Sequence, residues 1–257
     1  MLVVKNIQPE AAFTLKKLEQ AVLVHRTGSS SQKVHISLDE GAILEHIIIA
    51  EPAQGEKNYH VNVEQKRDST YKCTLVSLGA CEQDDVHYNI DVNLLGENAD
   101  CNLQAVYALK DDVKVHFKTK ISHHASHTKS TQKYKGIIAG NALAVFDGTI
   151  DIKPHAQKIE SAQSNKNLLL EKGRIQTKPT LTISADDVKC SHGATIGQMD
   201  EEALFYLQSR GIPSSSARKM LTHAFLQEII STISQKEIIQ EVEKNLWDNF
   251  ESQVNIL

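Results

Sequence analysis

"DDVKVHFKTKI", residues 111–121, alternates apolar and polar side chains from Val113 onward. Val113, Val115, Phe117, Thr119 and Ile121 occupy one set of positions, and Lys114, His116, Lys118 and Lys120 the other. Side chains at i and i+2 share one face of an extended chain, so the stretch predicts a half-buried β-strand with a solvated basic face. The same period of two runs through Tyr88, Ile90, Val92 and Leu94, and again through Cys101, Leu103, Ala105, Tyr107 and Leu109. "VHISL" (34–38) and "LTISA" (181–185) are shorter examples. "EPAQGE" (51–56), "GENAD" (96–100) and "KDD" (110–112) supply turn residues between strands. Residues 34–198 therefore read as a mainly β body. Periodicity alone leaves a sandwich, a barrel and a β-solenoid open, and no crisp repeat stands out.

After Gln198 the period changes. Asp200 suits an N-cap, and Glu201 and Glu202 suit the positive end of a helix dipole. Leu204, Phe205 and Leu207 form an apolar side, and Gly211 with Pro213 stops the helix. Ser214 or Ser215 opens a second helix with Ala217, Met220, Leu221, Ala224, Phe225 and Ile229 on one stripe. Ser234 and Glu237 have capping-box spacing for a third, whose seam is Ile238, Val242, Leu246 and Phe250. Residues 199–257 thus form a helical C-terminal domain. At the other end, residues 1–33 read as a short segment: a helix in "PEAAFTLKKLEQAVLV" (9–24), then a "TGSSSQK" loop (27–33).

The 257 residues carry a net charge of −4, which does not favour a nucleic-acid partner through bulk electrostatics. No apolar run approaches the length of a membrane span, and the first residues lack the layout of a signal peptide. Cys73, Cys81, Cys101 and Cys190 form no CxxC pair, which fits a reducing compartment. The expected location is the cytoplasm, or an organellar stroma for a matured form. Neither a phosphate-binding G-x-x-x-x-G-K-[ST] loop nor a G-x-S-x-G elbow occurs.

Three clusters could carry chemistry. His123, His124 and His127 lie in "HHASH", where i, i+4 spacing on a helix would suit zinc. The preceding run is strand-like, however, so a polar turn is the simpler reading. Asp186 and Asp187 could pair for acid–base work or Mg²⁺. Adjacent residues of an extended chain point in opposite directions, so a turn is again simpler. Cys190 and His192 would share a strand face about 6.6 Å apart. Thiolate and imidazole both ligate iron or zinc, yet two residues make at best half a metal site. A zinc-dependent hydrolase using His123, His127 and Cys190 is one alternative, and a self-pairing structural protein, through an exposed edge if the body is a β-helix, is another.

"TKPTLTISADDVKCSHGATIGQMDEEALFYLQSRGI" (177–212) resembles the signature of the SufB/SufD family of iron–sulfur cluster assembly proteins. "FDGTIDIKPHAQKIESAQSNKNLLL" (146–170) and "HHASHTKSTQKYKGII" (123–138) are similar to that family too. Ser191-His192-Gly193-Ala194-Thr195 is the form of the D-type branch; the B-type carries a glutamate-flanked histidine there. The resemblance implies a right-handed parallel β-helix core with a C-terminal α-helical domain, and a non-catalytic scaffold rather than an enzyme. It implies pairing with a SufB-like subunit and docking of a SufC-like ABC ATPase on the C-terminal helices. Asp200, Glu201, Leu204, Phe205, Arg210, Met220 and Phe225 are the residues expected on those helices. A homodimer, and a flavin in the assembled complex, are left open.

The same resemblance assigns His192 to the cluster-assembly interface. There it would share a nascent iron–sulfur cluster with a partner's cysteine, since this chain has no cysteine between Cys101 and Cys190. Cys190 is a weaker candidate in the same motif. The resemblance implies a helical N-terminal region ahead of the β-helix, and the periodicity places only residues 1–33 before the strands.

Overall fold

The computed structural model describes residues 2–5, 10–28, 30–51, 55–78, 85–246 and 248. Its strands begin with β1 (Leu2–Lys5), β2 (Glu10–Leu15), β3 (Gln20–Thr27), β4 (Gln32–Leu38) and β5 (Ile43–Ala50). They continue with β6 (Glu56–Gln65), β7 (Thr70–Leu78), β8 (Asp85–Leu94), β9 (Asp100–Leu109) and β10 (Lys114–His123). The last are β11 (Lys129–Ile138), β12 (Leu143–Ile152), β13 (Ile159–Leu169), β14 (Arg174–Ile183) and β15 (Val188–Gly197). Helices α1 (Glu201–Ser209), α2 (Ser214–Ile230) and α3 (Lys236–Leu246) follow.

Odd-numbered strands pair, all parallel, in one sheet running from β1 to β15, and even-numbered strands form a second running from β2 to β14. Each coil of the chain adds one strand to each sheet, which makes the body a parallel β-solenoid. Lys114 pairs with Asp85 on one side and Leu143 on the other, and Lys129 with Asp100 and Glu160. A coil is therefore 29–31 residues long in this part of the chain.

The alternation seen in the sequence is the inward face of this coil. In β8 the residues alternate strictly between half-buried and buried, with Val86, Tyr88, Ile90, Val92 and Leu94 in the lumen. Tyr59, Tyr88 and Phe117 stack in register down one wall, with ring centroids 5.3 and 5.8 Å apart. Offset aromatic stacks of this kind add to the burial of their area. The corners need a left-handed residue at nearly every turn: Leu18, Gly41, Asp68, Asn98, His127 and Lys158 all have φ between 56° and 67°. Few L-residues favour that region, so the coil tolerates a small backbone cost at each corner in exchange for continuous strand stacking.

The later residues of β3, β5, β7, β9 and β11 are buried on both sides of the odd sheet. Val22, Val24, Ile47, Ile49, Val76, Leu78, Val106, Ala108, Ile137 and Ala139 face outward onto Leu226, Ile229, Ile230, Val242 and Leu246 of α2 and α3. Strands covered on both faces lose alternation, which is why β9 ends in the continuous run Ala105–Leu109. Polar fasteners secure the helices. Arg26 Nη1 and Nη2 donate to the Glu241 carboxylate at 2.7 and 2.6 Å, and Thr232 Oγ1 donates to Gln104 Oε1 at 2.7 Å.

Four expectations are corrected. Residues 10–27 form β2 and β3, not a helix: Ala11, Phe13 and Leu15 pack on the lumen core, and Leu18 turns the corner with φ 63°. Burial of a period-two face in the lumen outweighs helix propensity there, so the solenoid begins well before residue 34. In α2 the buried stripe is Ala217, Thr222, Leu226, Ile229 and Ile230, while Met220 and Ala224 are exposed. Asp200 caps α1, which ends before Gly211, and α2 opens at Ser214, all as expected, yet Phe205 of α1 faces solvent rather than an apolar side. Ser234 does not close a capping box: its N–H donates to Glu45 Oε1 at 3.0 Å and its hydroxyl to Glu45 Oε2. Cys81 and Phe250 lie outside the described residues. No helix among the described residues is long and apolar enough to cross a membrane.

Candidate functional site at the open end of the solenoid

β15 is the last strand of its sheet and β14 the last of the other, so no further coil covers them. In register, His192 lies beside Gln163 and Cys190 beside Ser161. Both Gln163 and Ser161 are buried lumen residues. Cys190 and His192 therefore share the lumen-facing side of β15, as period two requires. The missing next coil leaves His192 exposed and Cys190 half-buried. Ile196 of β15 and Ile183 of β14, which in any earlier coil would be buried, are 48% and 43% exposed.

The lumen behind this end is polar, unlike the apolar middle. Gln163 Nε2 donates to Gln132 Oε1 at 2.9 Å, and Thr119 Oγ1 donates to the same oxygen at 3.0 Å. Room for Gln163 comes from Gly148, where a Cβ would sit 2.4 Å from its Nε2. Ser130 and Ser161 hydroxyls share a 2.7 Å hydrogen bond, and Tyr107 donates its hydroxyl to Asn167. Gln163 Oε1, Asn165 Nδ2 and Thr177 Oγ1 are buried without a partner. Orphaned polar atoms of this kind are costly in a closed core.

Burial pushes the Cys190 thiol up, with a backbone hydrogen bond at Ser161 opposing it, so the thiolate is disfavoured. The deeper Cys73 is pushed up to about 12 by burial, and Cys101 is raised for the same reason. These two are packing residues.

The histidine cluster resolves into separate roles. His123 ends β10 with its ring in the core, within 2.7 Å of Thr128 Oγ1 and 2.9 Å of Ser130 Oγ. Burial, reinforced by His124, lowers its pKa to about 4. His127 is the exposed left-handed corner residue. Among the described residues, one group of three His, Cys, Asp or Glu has ligand atoms within 4.8 Å of one another, and it is Asp85, His87 and His116. His123, His127 and Cys190 are thus not brought together, which removes the geometric basis for a zinc hydrolase. Asp186 and Asp187 occupy the bend before β15, where Lys158 N–H donates to the Asp187 carbonyl at 2.6 Å.

On the helices, Asp200 Oδ1 accepts from the Glu202 and Ala203 N–H groups at 3.0 Å each. Phe205 is 71%, Tyr206 57% and Met220 50% exposed, and the Arg210 guanidinium lies 5.2 Å from the Tyr206 ring. Leu204 is buried, and Phe225 turns its ring to Lys135 Nζ at 4.6 Å, so neither presents a surface. Tyr206 escaped the sequence reading; its neighbour Phe205 was the only signal for it. Asp85, His87 and His116 also escaped it, because they meet only once the coil length is known.

Residues 6–225 match the family model described as the SUF system FeS cluster assembly, SufBD core domain. The iron–sulfur cluster assembly protein SufD of Escherichia coli is 36% identical over 158 residues, covering 61% of this chain and 37% of that protein. An iron–sulfur cluster assembly SufBD family protein of Mycobacterium tuberculosis is 30% identical over 239 residues, covering 87% of this chain and 59% of that protein. The chloroplastic protein ABCI7 of Arabidopsis thaliana is 34% identical over 178 residues, 68% of this chain and 37% of that protein. The chain spans from over a third to three fifths of the length of these relatives. With a parallel β-solenoid, a histidine at its open end and three helices after it, the chain belongs to the SufB/SufD family of iron–sulfur cluster assembly proteins and is most like SufD.

Proposed function

We propose that this chain is a non-catalytic scaffold subunit of the SUF assembly complex. It pairs with a SufB-like subunit through the open end of its solenoid and carries a SufC-like ABC ATPase on its C-terminal helices. The observation that carries this reading is the position of His192, exposed on the lumen-facing side of the terminal strand. An imidazole placed there has its own chain on one side only, and a partner's thiolate can complete a ligand set around the nascent cluster. The cluster is cargo, built at the interface and passed on.

Two further features support the reading. The ten-residue strands β14 and β15 each end their sheet, and an unpaired strand edge is a ready template for another chain. Phe205 and Tyr206 of α1 and Met220 of α2 are each exposed, and are of the aromatic and methionine type enriched at interfaces. The bacterial and chloroplastic relatives support a site of action in the cytoplasm or an organellar stroma.

Co-expression with SufB-like and SufC-like partners tests this, reading complex mass and cluster content. His192→Ala is expected to leave the mass unchanged and abolish cluster formation. Phe205→Asp is expected to lose the ATPase and keep the SufB-like subunit. Normal cluster output from His192→Ala sinks the assigned role of the histidine. A chain that stays paired with itself when the SufB-like subunit is present refutes the pairing.

A further inference from the structure

On the outer face of the even sheet, far along the coil from β15, β8 and β10 lie side by side with His87 in register with His116 and Asp85 with Lys114. Period two places Asp85 and His87 on the same outward face, and the coil length places His116 beside them. The two imidazoles stack with centroids 4.2 Å apart and planes within 7°. Both turn Nε2 toward one carboxylate oxygen: Asp85 Oδ1 is 3.1 Å from His87 and 3.4 Å from His116. That oxygen is shut off from water and has no hydrogen-bond partner. All three side chains are half-buried.

We propose that Asp85, His87 and His116 form a binding site for a divalent transition-metal ion of the zinc or iron(II) type. Four-coordinate bonds of about 2.0–2.1 Å set neighbouring ligand atoms about 3.3 Å apart, which matches the two nitrogen–oxygen separations. Neither contact has hydrogen-bond geometry, and a tilt of the stacked rings out of parallel would bring both Nε2 lone pairs onto one ion beside the carboxylate oxygen. Two nitrogens and one carboxylate oxygen suit a borderline ion and are a poor set for calcium or magnesium, which take oxygen ligands.

Lys114 Nζ stands 3.9 Å from Asp85 Oδ2, on the oxygen the ion does not need. Its side chain is exposed and free to swing away. Glu56 and Asn58 flank the site on β6, with Asn58 Nδ2 donating to Glu56 Oε1 at 3.3 Å. Three protein ligands leave at least one position to water. The site is on the other sheet from His192 and independent of the cluster interface.

Titration of the full chain with zinc alone, under reducing conditions, tests the proposal. The wild type and His192→Ala are expected to bind one equivalent that the double variant His87→Ala/His116→Ala has lost. Asp85→Asn is expected to weaken it. Asp85, His87 and His116 lie on the outer face and His192 is exposed at the open end, so circular dichroism should show the variants folded. Cobalt(II) difference spectra between wild type and double variant should show d–d bands without thiolate charge transfer. Equal zinc stoichiometry and affinity in the folded double variant overturns the proposal, as does a thiolate band in the difference spectrum.

Discussion

His192 stands beside Gln163 in one row of the lumen, and Gln163 holds a buried carbonyl oxygen that no group satisfies. Its amide nitrogen is committed to Gln132 at 2.9 Å, which fixes the direction of that free acceptor. An imidazole carries an N–H in either tautomer, so in the proposed interface the acceptor would orient the ring and leave the other nitrogen for metal. Gln163→Leu removes the acceptor and its desolvation cost together, while Gln132 Oε1 keeps Thr119. Stability should change by no more than about 1 kcal/mol in urea denaturation. Cluster formation with partner subunits should fall, though less than with His192→Ala. Unchanged cluster output would show that Gln163 does not position the ring.

The alternation in 111–121 was legible because those side chains fill a lumen that accepts apolar groups from one face only. The repeat was not, because it lies in conformation rather than in letters. The left-handed corner is held by Leu18, Gly41, Asp68, Asn98, His127 and Lys158 in turn, six different chemistries meeting one backbone demand. The helix expected in 9–24 failed for the same reason, since Leu18 gives no sign of a corner. In α2 the apolar residues surround the helix, and the buried side is chosen by Val106, Ala108, Ile137 and Ala139 of the sheet, more than 75 residues upstream. His192 is singled out in the sequence by its motif alone. Its exposure follows only from the end of the strand order.

His123 makes the fold sensitive to mild acid. Its folded pKa is about 4 against an ordinary 6.5, chiefly through burial. Between those values the unfolded chain binds a proton that the folded chain refuses. Stability is therefore complete above about pH 6.5 and falls as pH drops toward 4, by on the order of 3 kcal/mol for this group. His25 and His46 are also lowered by burial and act with the same sign. His123→Gln, which keeps hydrogen-bonding capacity for Thr128 and Ser130, should flatten the decline. Urea midpoints at pH 7, 5.5 and 4.5 read it directly, and parallel profiles for the two proteins would refute the assignment.

Lys135 is a buried cation that decides how firmly α2 is held. It is only 6% exposed on the outer face of the odd sheet, donates to the Phe225 carbonyl at 3.1 Å, and pairs with Glu228. Hydrogen bonds from Lys133, at 2.7 Å, and from Lys135 lower the Glu228 pKa to about 2. A depressed carboxylate contributes stability that is present above its unfolded pKa of 4.5 and lost as pH falls through about 2. Glu228 is itself half exposed, so solvent screens much of that shift, and the larger effect of Glu228→Gln is to strand the lysine. A loss of about 1–2 kcal/mol is expected near neutral pH, below that of a fully buried pair because the Phe225 carbonyl and ring remain. The gap from wild type should close as pH falls from 4.5 toward 2, since the wild-type carboxylate then protonates. Lys135→Met removes the cation along with its need for a partner and should cost less than Glu228→Gln. If Lys135→Met proves the more damaging, the lysine is held by something other than Glu228, and α2 rests on its apolar face instead.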